Sequence, residues 1–311
     1  MEGHMEYRSL GGSGLRVSVA GLGCNNFGMR IDYERTVAVL DAAIDAGVNF
    51  FDTARMYGGG KSEEFMGQAL RGRRDQVIIA TKFGGPTKPD DATGSRRHMM
   101  RSVEASLQAL QTDYIDLYQL HFPDPATPIE ETLAAMDALV QQGKVRYIGC
   151  SNFTGWMVAD AHWTARTRGF ERFVTVQNEW SLLSRGVEAE VKAACEHYGA
   201  SILPYFPLAS GALTGKVRRG VAPPADSRLS SAYFASTLTD ANFDRLEQME
   251  AWAGARGRSM TEVALSWLAS QPVVGSVIAG ATSPEQVRAN AVATRTDLRT
   301  EEVAEIGELM A

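Results

Sequence analysis

The chain has 311 residues, 44 % of them hydrophobic and 22 % charged, with a formal net charge of −6. This is ordinary globular composition, and the negative balance excludes a broad electrostatic attraction to nucleic acid or to an anionic membrane. No run approaches the ~18 consecutive apolar residues of a membrane span, and the 3 scattered cysteines, Cys24, Cys150 and Cys195, make neither a disulfide framework nor a metal motif, so no metal is expected and a reducing, cytoplasmic compartment fits.

Residues 1–4 before Met5 read as a cloning scar and are set aside, leaving residues 5–311 as one expected domain. "YRSLGGSGLRVS" places Gly-Gly-Ser-Gly between two short β-prone runs, which predicts a hairpin. Short apolar runs then alternate with amphipathic stretches. The predicted strands are Val17–Leu22, Val48–Asp52, Val77–Thr81, Ile115–Leu120, Val145–Cys150, Val174–Gln177, Ser201–Tyr205 and Val274–Ala279. The helical stretches carry fitting end signals. Gly47 closes the first as a C-cap, Ser62 with two following acids opens the second, and Pro128 and Pro284 suit first-turn positions. Eight strands alternating with helices over this length predict a parallel (β/α)8 TIM barrel, an α/β fold, with the hairpin capping its bottom. An open dinucleotide-binding sheet needs a Gly-rich turn after its first strand. Here the turn runs Gly21-Leu22-Gly23-Cys24-Asn25-Asn26, with Asn26 where the third glycine belongs.

"GGGKSEE", residues 58–64, invites a P-loop reading, but that motif needs glycine five residues before Gly60, where Arg55 stands. Residues 209–236 form a long, weakly periodic stretch rich in Gly, Pro and Ser, and loops of that length are usually functional or disordered.

In a barrel of this type chemistry collects at the C-terminal strand ends. There the sequence sets Asp52, Tyr57, Lys82, His121, Ser151, Asn152, Gln177 and Asn178. An acid, a phenol, an ammonium and an imidazole at three successive strand ends cost more desolvation than packing explains. Together they suit carbonyl reduction. In that chemistry Tyr57 is the expected proton donor, Lys82 would stabilise its phenolate, Asp52 would hold Lys82, and His121 would hydrogen-bond the substrate oxygen. The hydride must come from a cofactor.

These stretches resemble the aldo-keto reductase family over nearly the whole chain. "FFDTARMYGGGKSEEFMGQAL" is similar to its Asp and Tyr signature, "IIATKF" to its Lys strand and "DYIDLYQLHFPD" to its His strand. "KVRYIGCSNF", "TVQNEWSLL", "YFPLASGALTGK" and "VIAGATSPEQVRAN" resemble its cofactor-binding segments. The resemblance implies a barrel without a Rossmann domain, a catalytic set of Asp52, Tyr57, Lys82 and His121, and NADP(H) bound in extended form. The implied cofactor contacts are Gly23, Asn25, Asp52, Ser151, Asn152, Gln177, Tyr205, Phe206, Pro207, Leu208, Gly211, Lys216, Ser227, Arg228, Gly280, Ser283, Gln286 and Asn290, with Arg228 at the 2′-phosphate. Phe206 replaces a frequent serine, and Gly280 and Gln286 stand where well-known members carry Lys and Arg. The likeness is to the bacterial branch and to potassium-channel β-subunits.

Met29, Met56, Phe83, Phe122 and Trp180 are expected to wall an apolar substrate pocket, and Arg55 is the one candidate anchor for a charged substrate. The expected partner is a small carbonyl compound, with no nucleic acid and no membrane; nothing in the sequence specifies an oligomeric state. A cofactor-sensing regulatory subunit and a dehydrogenase working mainly in the oxidative direction are the alternatives. A start at the barrel hairpin, without further extension, favours a free enzyme.

Overall fold

The computed structural model describes residues 5–85, 92–223, 227–231, 237–295 and 297–311. The expected scar, and the parts of the long loop at residues 224–226 and 232–236, lie outside the described residues.

An antiparallel hairpin, β1 (Tyr7–Ser9) and β2 (Arg16–Ser18), comes first. The expected strand Val17–Leu22 is therefore two elements, because Val19 is the corner at which the chain leaves the hairpin for the first barrel strand, β3 (Ala20–Gly23). Seven more strands follow: β4 (Phe50–Asp52), β5 (Ile78–Phe83), β6 (Ile115–Leu120), β7 (Val145–Ser151), β8 (Thr175–Glu179), β9 (Ser201–Tyr205) and β10 (Val277–Gly280). They make one parallel sheet in the order β10-β3-β4-β5-β6-β7-β8-β9. A parallel bridge between Ile202 and Val274 draws the free edges together: the Ile202 amide donates to the Val273 carbonyl at 2.8 Å and the Gly275 amide to the Ile202 carbonyl at 3.0 Å. The sheet is thereby a nearly closed barrel, its last strand starting later than the apolar run Val274–Ala279 suggests.

Helices Tyr33–Asp45, Lys61–Ala69, Arg96–Leu110, Ile129–Gln141, Gly155–Arg168 and Val191–Tyr198 fill the connections. Their ends follow local chemistry. The Asp32 carboxylate accepts from the Arg35 amide and the Ser95 hydroxyl from the His98 amide, satisfying amides that the helix leaves open. Pro128 is the N-cap of its helix rather than its first residue, whereas Pro284 does open helix Pro284–Ala293.

Alternation along the strands sorts the side chains. Phe50, Ala80, Leu117, Leu203 and Ile278 form an apolar cluster with Leu10 and Val17 of the hairpin, while Phe51, Ile79 and Tyr118 pack into the outer core with the helices. The residues two further along three of these strands are Asp52, Lys82 and Gln119, so the floor of the barrel is apolar and the layer above it is polar. The hairpin tip docks by hydrogen bonds. The Gly12 amide donates to the Gly199 carbonyl at 3.0 Å and the Gly11 amide to the Ser201 hydroxyl at 2.7 Å. Gly11 has φ +52°, and a Cβ there would meet the Val174 and Gly199 carbonyl oxygens at 2.6 and 2.7 Å, so this approach requires glycine.

Leu10, fully buried in the floor, is the part of the hairpin that plugs the barrel. Leu10→Ala is expected to lower unfolding free energy by about 2–4 kcal/mol, the usual range for a leucine deletion that leaves a cavity. Denaturant melts of both proteins measure it.

Candidate active site

The polar layer is built around a buried ion pair. Lys82 Nζ donates to Asp52 Oδ2 at 2.6 Å and to the Thr53 carbonyl at 2.8 Å, with both side chains almost wholly inaccessible. Two amides complete the carboxylate: Gln177 Nε2 donates to Asp52 Oδ1 at 2.9 Å and Gln119 Nε2 to the same oxygen at 3.4 Å. Gln119 is held in turn by the Thr175 hydroxyl, which donates to its Oε1 at 3.2 Å. Gly149 leaves room for that contact, because a Cβ there would lie 2.2 Å from Thr175 Oγ1.

Tyr57 follows β4 and reaches over this pair, its ring centroid 5.2 Å from Lys82 Nζ. The imidazole of His121 stands edge-on to the same ring, with centroids 5.8 Å apart and planes at 81°. The four residues named from the strand ends are thus brought to one place. Burial raises the Tyr57 phenol above its ordinary range; the Lys82 charge pulls it back without cancelling the burial. The phenol therefore holds its proton at neutral pH. For Lys82, burial pulls the ammonium down, but Asp52 and Tyr57 outweigh it and leave it above its ordinary value. His121 is lowered to about 3 by burial and by the Lys82 charge, so it is a neutral imidazole. Its Nδ1 is buried without a hydrogen-bond partner among the described residues.

Beside this cluster Ser151, Asn152 and Tyr205 are stitched together. Ser151 Oγ donates to the Gln177 carbonyl at 2.7 Å, Asn152 Nδ2 to the His121 carbonyl at 2.9 Å, and the Tyr205 hydroxyl to Asn152 Oδ1 at 2.8 Å. Asn152 adopts φ +62°, a conformation that asparagine tolerates better than most residues. After β9 the backbone turns back on itself, with positive φ at Phe206, Ala209, Ser210 and Gly211; Pro207 and Leu208 lie within that turn and exposed Lys216 beyond it. Arg228 opens a short turn that Ser227 caps by accepting from the Leu229 amide, and its side chain crosses to the end of β3, where Nη2 donates to Asn25 Oδ1 and Asn26 Oδ1, each at 2.9 Å. Its guanidinium lies 5.4 Å from the Phe206 ring centroid. Gly23 and Gly280 pair across β3 and β10. Ser283 caps helix Pro284–Ala293 through the Gln286 amide, the Gln286 side chain accepts from Thr282, and Asn290 Nδ2 reaches the Gly280 carbonyl at 3.5 Å.

The expected pocket wall divides. Met29 and Met56 are exposed, and Phe122 is half-buried and stacks on His121 with centroids 4.7 Å apart. Phe83 and Trp180 are instead core residues. Because Lys82 faces inward, Phe83 faces outward and stacks on Tyr118 at 4.8 Å. Trp180 is fully buried, donates to Glu188 Oε1 at 3.0 Å and packs edge-on against Trp267. Arg55 is paired with Glu63 at 3.3 Å while its side chain remains partly exposed. Sequence reasoning missed Gln119, Thr175 and Glu63. Gln119 carried a signal, since it lies two residues before His121 on the inward face of one strand.

A barrel with an ionisable cluster at the C-terminal ends of its strands defines a barrel enzyme of the kind that works from those ends. The comparisons specify which kind. The model of the aldo/keto reductase family matches residues 20–311, and the chain belongs to that family. It is 38 % identical over 296 residues to a "Probable voltage-gated potassium channel subunit beta" of Oryza sativa subsp. japonica, covering 92 % of this chain and 90 % of the relative. It is 38 % identical over 297 residues to "Uncharacterized oxidoreductase YrpG" of Bacillus subtilis, covering 91 % and 89 %. An "L-glyceraldehyde 3-phosphate reductase" of Escherichia coli O157:H7 is 34 % identical over 337 residues, covering 99 % and 93 %. Members of this family generally use NAD(P)H, and the reductase-named relatives support an oxidoreductase. No helix among the described residues is long and apolar enough to cross a membrane.

The position of His121 sets a pH dependence. Its folded pKa of about 3 lies below the ~6.5 of a free imidazole. Between those values the unfolded chain binds the extra proton, so stability falls as pH is lowered through that window. Melting temperature is expected to drop more steeply in wild type than in His121→Asn on acidification from about pH 7 to about pH 4. Parallel melts across that range measure the difference.

Proposed function

We propose that the protein is an NADP(H)-dependent carbonyl reductase in which Tyr57 protonates the oxygen of an aldehyde or ketone. The observation that supports this most is the buried Lys82–Asp52 pair beneath the Tyr57 ring, with neutral His121 edge-on to it. NADPH, when bound, supplies the hydride. His121, an uncharged donor, orients the carbonyl oxygen toward the Tyr57 hydroxyl. As the proton leaves, the Lys82 charge stabilises the developing phenolate, and Asp52, braced by Gln177 and Gln119, keeps Lys82 charged and in place. Half-buried Phe122 on one side of the imidazole and exposed Met56 at the mouth suit an apolar substituent on the substrate.

The residues fit the cofactor. Side-chain amides and a hydroxyl from Ser151, Asn152 and Gln177 cluster next to the reacting groups and suit a carboxamide. The turn at Phe206–Gly211, with its run of positive φ, is the segment that would hold a diphosphate, and the start of helix Pro284–Ala293 favours an anion. Arg228 is the cation for a 2′-phosphate, its guanidinium steadied by the hydrogen bonds of Nη2 to Asn25 and Asn26.

Tyr57→Phe is expected to lower turnover by roughly a hundred- to ten-thousandfold, the usual worth of general acid catalysis, with NADPH binding unchanged. Steady-state kinetics on a panel of carbonyl compounds and a fluorescence titration of NADPH check this. Half of wild-type turnover in the variant, with chemistry rate-limiting, would exclude Tyr57 as the donor.

Arg228→Ala is expected to weaken NADPH binding by about ten- to a hundredfold, the worth of hydrogen bonds to a charged group, and to leave NADH binding nearly unchanged. Titration of both cofactors against both proteins decides it: equal losses, or none, remove Arg228 from phosphate recognition.

A further inference from the structure

Between Asp52 and Tyr57 the chain makes a short loop whose only charged side chain is Arg55. Its Nη1 lies 3.3 Å from Glu63 Oε2, and its guanidinium runs under Gly60, where a Cβ would meet Nη1 at 2.4 Å. Gly60 has φ +99°, so glycine is required there twice over, by conformation and by space.

Glu63, in the first turn of helix Lys61–Ala69, is completely buried, and its other oxygen accepts from the Thr81 hydroxyl at 2.7 Å. Thr81 is the residue before Lys82. One carboxylate thus ties the outward face of β5, directly behind Lys82, to the loop that carries Tyr57. The backbone repeats this tie, because the Arg55 amide donates to the Lys82 carbonyl at 3.1 Å and the Tyr57 amide to the Ala54 carbonyl at 3.0 Å. The residue before Glu63 anchors the same helix start to two other strand ends: Ser62 Oγ donates to the Cys24 carbonyl at 2.9 Å and lies 2.8 Å from Thr53 Oγ1.

A buried carboxylate is costly unless it is paired. Burial pushes the Glu63 carboxyl up, and the Thr81 hydroxyl and Arg55 guanidinium pull it back. We infer that Glu63 and Arg55 are positioning residues that hold the Tyr57 loop over Lys82 from behind the barrel wall. Neither touches the reacting atoms. Removing Glu63 leaves the guanidinium beneath Gly60 without its partner, removing Arg55 takes that support away, and either change lets the Tyr57 hydroxyl drift from the carbonyl oxygen.

This inference rests on the reductase reading, so wild-type NADPH-dependent turnover is measured first; its absence would overturn that reading and leave the tether to be judged by exchange alone. Arg55 is partly exposed, so Arg55→Ala is expected to fold. Its kcat is expected to fall about tenfold or more, since a misplacement of about 1 Å costs up to about a hundredfold, with the affinity for NADPH within twofold of wild type. Glu63→Gln, which keeps the size and the acceptor for Thr81, is expected to show the same split. The double variant is expected to lose no more than either single one, the non-additivity of groups acting as one unit. Amide exchange followed by mass spectrometry is expected to quicken in the peptide spanning residues 53–61 of each variant. Wild-type kcat in Arg55→Ala, additive losses in the double variant, or unchanged exchange in that peptide would each overturn the tether.

Discussion

The pair between Lys82 and Asp52 is the constraint around which the rest of the molecule is arranged. Two opposite charges inside a barrel lose their hydration, and their attraction offsets that loss only when the remaining polar atoms are also bonded. Here they are. The ammonium has a second acceptor in the Thr53 carbonyl, and the carboxylate has two amide donors, Gln177 and Gln119. Gln119 needs Thr175 to hold its other end, and Thr175 needs a glycine at position 149. A requirement at β4 and β5 therefore sets residues on β6, β7 and β8.

The apolar floor serves the same end from below. Leu10 and Val17 of the hairpin, with Phe50, Ala80, Leu117, Leu203 and Ile278, close the barrel beneath the polar layer. Because side chains alternate strictly along a strand, Phe50 below and Asp52 above share a face, and so do Ala80 and Lys82, and Leu117 and Gln119. A one-residue slip in β4 or β5 would place an outer core residue inside and a charge against the helices. The apolar floor and the polar site above it are thus fixed by one register.

The Lys82 charge then acts on both of the rings that meet above it, Tyr57 and His121. The same ammonium that opposes protonation of His121 pulls down the phenol of Tyr57, while burial keeps the phenol protonated. The result is a neutral imidazole beside a neutral phenol, both able to donate to an oxygen. At the outer edge, Arg228 spans from the long loop to Asn25 and Asn26, so the groups implied for the cofactor satisfy one another within the chain.

Much of this was legible in the sequence. The alternation of apolar runs and amphipathic stretches determines a parallel barrel, because strand and helix periods differ and the number of strands is countable. The strand ends name Asp52, Lys82 and His121, because ionisable residues closing apolar runs are costly anywhere but at a site. Other features needed the tertiary structure. Val17–Leu22 reads as one strand, and only the docking of the hairpin on the barrel floor divides it at Val19. Phe83 and Trp180 read as pocket walls from proximity to strand ends, but the face a side chain takes depends on its neighbour's: Lys82 faces in, so Phe83 faces out. Arg55 and Glu63 lie eight positions apart in a glycine-rich stretch with no periodic signal. Their pairing exists only because helix Lys61–Ala69 turns back against β5 and places a buried carboxylate behind Lys82. Sequence alone determined which chemical groups the chain carries to the barrel mouth. The close packing of strands and helices decided which of those groups meet, since contacts between distant residues depend on register and facing that no local pattern encodes.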